Sequence, residues 1–141
     1  MSYITIDTLK NYISERDIAL LSNDADATTI DADVVQRVID DAEDHIDSYL
    51  AKQYLTPLGA VPDIITRIAA DIVIYDLYSR RGDQETPQTV SDRKKNAEKW
   101  LIMVSRGEVK IGITESSTTD PGGIKTNKAK SDRIFNNLED F

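Results

Sequence analysis

No cysteine occurs in the 141 residues. That excludes disulfides, thiolate metal sites and a cysteine nucleophile, leaves no redox role, and suits a reducing compartment. Histidine occurs once, at His45, so paired-histidine zinc chemistry is absent and no serine stands in an evident triad with it. There is no glycine-rich phosphate loop and no nucleophile elbow. Long hydrophobic runs are also missing, since Arg67, Asp71 and Asp76 interrupt the most apolar stretch. Met1, Ser2 and Tyr3 show no basic region followed by an apolar run, so neither signal-peptide export nor membrane insertion is expected. Positive charge is scarce, with 17 Lys and Arg against 25 Asp and Glu and a formal net charge of -8. An acidic surface repels phosphate, which disfavours tight wrapping of nucleic acid.

What is present describes a soluble globular chain of one-domain length, 40% hydrophobic and 30% charged. Charge is unevenly placed. Residues 1–80 hold fifteen acids against six bases, a net of -9, whereas 81–141 hold ten against eleven, a net of +1. Helical signals dominate the first 107 residues. Thr5 and Ser14 sit as N-caps before short helices carrying Leu9 and then Ile18, Leu20 and Leu21. After a small, polar loop over 22–30, Asp31 precedes Val34, Val35, Val38, Ile39, Ala42, Ile46, Tyr49 and Leu50. That three-and-four spacing predicts an amphipathic helix of about five turns. Pro57 and Gly59 break the chain. Pro62 suits the first turn of a helix to about Arg81, whose apolar residues cover most of its circumference. Such a helix must be enclosed, by its own bundle or by a second subunit, and the expectation is that it carries more apolar surface than one subunit hides. Thr86 and Pro87 open a last helix through Val90, Ala97, Trp100, Leu101 and Val104, which Gly107 stops in a left-handed cap.

Val109, Ile111 and Ile113 alternate with Lys110 and Gly112, the pattern of one short strand. From Thr114 to Ser131 the chain is rich in Ser, Thr, Gly, Lys and Asn, the composition of a flexible arm. Ile134, Phe135, Leu138 and Phe141 then bring apolar character back. They read either as a docking peptide or as a tail folding back on its own core. The expected architecture is mainly α: a small bundle of four to five helices with one short strand over 1–113, then an extended arm over 114–141.

Two acidic clusters invite a metal reading. Asp41, Asp44 and His45 share a helix face, but no second histidine completes the set, and a solvated acidic face explains them better. Asn23, Asp24, Asp26, Asp31 and Asp33 faintly resemble a calcium loop, yet lack its turn glycine and closing glutamate, so Asx turns and a helix cap are preferred. No metal, cofactor or catalytic residue is assigned. Arg93, Lys94, Lys95 and Lys99 form a basic stretch of the last helix that suits phosphate, the acidic half of a neighbouring copy, or plain solvent.

Tyr3-Ile4-Thr5 with Asp7 and Leu9, then Ile46-Asp47, Tyr49-Leu50, Tyr54 and Pro57-Leu58, together resemble the bacteriophage Mu-like head-to-tail connector family. Val61-Pro62, Ile65, Ala69, Asp71-Ile72, Tyr75, Leu77-Tyr78 and Arg80-Arg81 look like its central helix. Arg93, Ala97, Trp100-Leu101, Arg106-Gly107, Val109 and Ile111-Gly112 are similar to its final helix and strand, and Arg133-Ile134-Phe135 with Phe141 to its tail. The chain departs from the pattern at Lys94, where an aromatic residue is common. The resemblance implies a non-enzymatic virion protein, made in the cytoplasm of the bacterial host. It would be a head completion or adaptor subunit that forms a dodecameric ring under the portal, contacts portal and tail or neck proteins, and lets DNA pass without specific binding. On that reading Ile72, Tyr75, Tyr78, Arg93, Lys94, Ile134, Phe135 and Phe141 are the expected contact residues. The competing reading from another class is a nucleic-acid-binding module using the basic face of the last helix, and a third is a metal-dependent enzyme.

Overall fold

The computed structural model describes residues 2–82 and 85–113. Five helices follow one another: α1 (Ile6–Leu9), α2 (Glu15–Ser22), α3 (Ala32–Leu50), α4 (Asp63–Ser79) and α5 (Gln88–Ser105). Side-chain caps start the first three as the sequence predicts. Thr5 accepts from the Thr8 N–H, Ser14 from Asp17 and Asp31 from Val34, each satisfying a donor that the first turn cannot pair internally. Pro62 and Pro87 stand one position earlier than expected, as the residues before α4 and α5 rather than inside their first turns. Their carbonyls accept from Ile65 and Thr66 and from Val90 and Ser91. No side chain caps α5, so Thr86 does not take the role its position suggested.

The α3 stripe of Val35, Ile39, Ala42, Ile46 and Leu50 is fully buried and packs on α4 and α5. α4 carries the core: Ile65, Ile68, Ala69, Ala70, Ile72, Val73, Ile74 and Leu77 are all buried. Its neighbours α2, α3 and α5 belong to the same subunit. The expectation that one subunit could not hide this helix is therefore overturned, because an all-round apolar circumference is what three surrounding helices require. Ile72, 1% exposed, is a core residue and offers no contact surface in the folded subunit. Tyr75 and Tyr78 remain half-buried.

α5 ends as its glycine predicts. Gly107 has φ +78°; its N–H reaches the Val104 carbonyl and that of Glu108 the Met103 carbonyl, the paired bonds of a Schellman cap. Gln53 adds a bond from its amide to the Ser105 carbonyl at 3.2 Å. The strand expected over 109–113 does not form; no strand is present among the described residues. Gly112 turns into the left-handed region at φ +84°, and the Ile111 N–H donates to the Tyr54 hydroxyl rather than to a neighbouring strand. Alternating side chains signal a strand only where a ladder partner exists. The segment before α1 straps across the bundle instead. Tyr3 is buried; its hydroxyl donates to Asp47 and accepts from the Leu58 N–H, and Thr66 donates to its carbonyl. The arm over 114–141 lies outside the described residues.

Candidate interface

A cluster of charged and aromatic side chains is built where α3, α4 and α5 meet. His45 projects from the C-terminal half of α3 and faces Glu98 of α5, Nε2 to Oε2, at 2.8 Å, while its ring meets Tyr49 edge-on at 5.3 Å. Lys94, one turn before Glu98, approaches the same carboxylate at 3.9 Å and lies 4.5 Å from the centre of the Tyr75 ring, a cation–π contact. Tyr75, Ser91, Lys94, Lys95 and Glu98 line a shallow hollow of about 240 Å³. Beneath it, burial raises the Asp76 carboxyl above its ordinary value; Lys94 and His45 counteract this, and Asp41 and Glu98 reinforce it. Asp71, one turn away, is likewise raised by burial against the opposing pull of Arg93 and Arg67. Arg93 and Asp71, with Ile74 and Val90, flank a narrow crevice between α4 and α5.

Of the residues that the sequence singles out, the structure brings Tyr75 and Lys94 into contact and sets Arg93 opposite Asp71. Tyr78 stands apart: burial raises its phenol, Asp17 of α2 adds to the effect, and it belongs to the α2–α4 contact. Ile134, Phe135 and Phe141 lie outside the described residues. The basic stretch of α5 is divided, since Lys94 is committed to Tyr75 and Glu98 whereas Arg93, Lys95 and Lys99 are exposed. On α3 the exposed residues Asp33, Asp40, Asp41 and Asp44, with Arg37 among them, form an acidic surface. One subunit thus presents an acidic face on α3 and, on α5, Lys95 and Lys99 one turn apart with exposed Asp92 beside them, while Arg93 flanks the crevice toward α4. Asp76 carries no sequence signal, because the charges that act on it are remote along the chain, and Glu98 shows only its local Lys94 partner, not His45.

The acidic loop after α2 is occupied by its own chemistry. Asn23 accepts from the Ala25 and Asp26 N–H groups, and Asp26 accepts from the N–H and hydroxyl of Thr28. Asp24 pairs with Arg80 at 3.1 Å and lies 3.8 Å from Arg81, and these arginines also donate to the Leu21 and Leu20 carbonyls. The paired arginines of the α4 terminus thereby hold the end of α2 and its loop. Among the described residues no three His, Cys, Asp or Glu side chains gather as a metal site, and no helix is long and apolar enough to cross a membrane.

Residues 3–128 match the protein family Bacteriophage Mu, Gp36. The chain belongs to that family. Gene product J of Escherichia phage Mu is 28% identical over 134 residues, covering 94% of this chain and 92% of that protein. The Mu-like prophage FluMu protein gp36 of Haemophilus influenzae is 31% identical over 94 residues, 67% of this chain, and the match spans 64% of that relative's length. The match to the Gp36 family starts at Tyr3, the residue whose hydroxyl ties the N-terminal strap to α3 and to Leu58.

Proposed function

We propose that this Mu-family phage protein is a structural subunit, a head completion or adaptor protein that gathers as a ring between portal and tail. The observation that carries the reading is a pair of oppositely charged patches on one subunit: the acidic face of Asp33, Asp40, Asp41 and Asp44 on α3, and exposed Lys95 with Lys99 one turn on along α5. Opposite, non-identical faces favour heterologous contact, and a heterologous contact with the right rotation closes a ring. Because α4 is hidden within each subunit, the contact rests on charge and on half-buried aromatic edges such as Tyr75 rather than on a large greasy surface. Interfaces of that kind are weak in isolation and gain strength from a template. The portal ring is that template, and the arm with Ile134, Phe135 and Phe141 supplies an anchor that orders on docking. The net charge of -8 gives the wall the sign of DNA, which passes without a foothold.

Mass measured in solution with and without a Mu-like portal ring tests this. The expected result is a subunit that stays small alone at moderate salt and adds a ring's mass to the portal. A subunit that leaves portal, neck and tail components unbound at low salt contradicts the reading.

A further inference from the structure

We propose that α3 of one copy lies parallel to α5 of the next in a fixed register, with Arg37 against Asp92, Asp40 against Lys95 and Asp44 against Lys99. This rests on the adaptor reading above and names the residues that meet at each subunit boundary. All six side chains are exposed. On α3 the signs run plus, minus, minus at spacings of three and then four residues; on α5 they run minus, plus, plus at the same spacings. Positions three and seven apart lie along one face of a helix. Arg37, Asp44, Lys95 and Lys99 make no side-chain hydrogen bond or ion pair among the described residues. Asp40 and Asp92 are each held by a glutamine one turn earlier, Gln36 at 3.0 Å and Gln88 at 2.9 Å; each bond uses Oδ1 and leaves Oδ2 to a partner.

The pattern has a direction. Running the two helices antiparallel sets Arg37 against Lys99 and Asp44 against Asp92, two like-charge pairs that oppose docking. Parallel alignment gives three opposite pairs, and the remaining exposed acids of that α3 face, Asp33 and Asp41, then fall level with the uncharged Gln88 and Asn96. A small ring rotation leaves helix directions nearly unchanged from copy to copy and so keeps α3 and α5 parallel, whereas a two-fold axis across the helices reverses them.

Height agrees as well as direction. Within one subunit α3 and α5 already run parallel, with His45 level with Glu98, 53 positions on, and Gln53 with Ser105, 52 positions on. The three proposed pairs are each 55 positions apart. A neighbour placed alongside with no shift along the helices therefore misses the match by two or three residues, roughly 3–4.5 Å of rise, a gap that long Lys and Arg side chains span. Each exposed pair contributes little alone. Three in register at every boundary fix which way and at what height the copies join.

The absence of cysteine makes the test clean. Full-length single-cysteine variants, one of each pair tagged, are mixed and oxidised, both on Mu-like portal rings and free in concentrated solution. The in-register pairs are Asp40→Cys with Lys95→Cys and Asp44→Cys with Lys99→Cys. The antiparallel controls are Arg37→Cys with Lys99→Cys and Asp44→Cys with Asp92→Cys. The expected result is a several-fold higher yield of tagged–untagged dimer from the in-register pairs, and a several-fold drop for the second of them when its Lys99→Cys chain also carries Lys95→Glu. Equal yields from both sets, higher yields from the antiparallel set, or indifference to Lys95→Glu overturns the proposal. Ring mass on the portal without preferential in-register linkage removes the register and leaves the adaptor role; preferential linkage in free solution with no binding to portal rings does the reverse.

Discussion

Replacing Tyr3 by Phe removes one oxygen from a place where it has two duties. The hydroxyl donates to Asp47, a carboxylate whose pKa burial raises, and which the like charges of Glu43 and Asp44 raise further. It also accepts from the Leu58 N–H at 2.9 Å, a buried bond. A hydrogen bond to a charged group contributes about 1.5–3 kcal/mol, and stranding a buried donor costs about 1–3 kcal/mol. The two share one oxygen and are not independent, so the expected destabilisation is roughly 3 kcal/mol, a Tm lower by about 12 °C for a domain of this size. Urea titration with an unchanged slope reads the difference directly. The loss should shrink in acid, where Asp47 is protonated and its bond to Tyr3 becomes an ordinary neutral one. Tyr12→Phe, at an exposed ring, is the control and should change nothing measurable. A Tyr3→Phe protein within about 0.5 kcal/mol of the parent at neutral pH would refute the view that this strap is a structural tie.

Ile72→Ala should cost about 2–5 kcal/mol through the cavity it opens, yet leave the assembly of whatever remains folded untouched, because the side chain is enclosed by its own subunit. Portal-binding mass measurements below the variant's melting temperature check this. Stability should rise as pH falls from neutrality through the raised folded values of three buried carboxyls toward the ordinary 3.8. Asp47, Asp71 and Asp76 are all held above the ordinary 3.8, chiefly by burial, so they bind protons more readily when folded and weaken the fold only while ionised. Asp24, lowered by its bond to Arg80, acts oppositely and withdraws its contribution as pH falls through its folded value. Urea midpoints across that range check the sign, and a steady loss from neutrality downward would contradict it. Gly107→Ala should cost about 1 kcal/mol from its positive φ alone, since the nearest neighbour of a new Cβ, the Gln53 amide, stands at an ordinary 3.5 Å.

Local signals in the sequence specify most of the helix ends. Thr5, Ser14, Asp31 and Gly107 specify helix ends through bonds to residues within five positions, and each makes the bond its type predicts. The α3 stripe likewise follows from spacing alone. What covers α4 could not be read in the same way. An apolar circumference says that a helix is enclosed but not by what, and the covering helices come from segments before and after it. The candidate interface was half legible. The basic residues of α5 were visible, but His45 and Glu98 are 53 positions apart, and the capture of Lys94 by Tyr75 depends on how α4 and α5 pack. Alternation over 109–113 misled because a strand needs a partner, and the Tyr54 hydroxyl takes the Ile111 N–H instead.

A charge exchange between the two helix faces is the direct test of assembly by opposite surfaces. One full-length variant carries Lys95→Glu and Lys99→Glu on α5, the other Asp40→Lys and Asp44→Lys on α3, and each is mixed with portal rings alone and then together. Each variant alone should fail to close on the portal, since like faces now meet, while the equimolar mixture should restore ring mass with the two variants alternating. Rings formed by either variant alone, or no recovery in the mixture with helix content intact, would contradict the account.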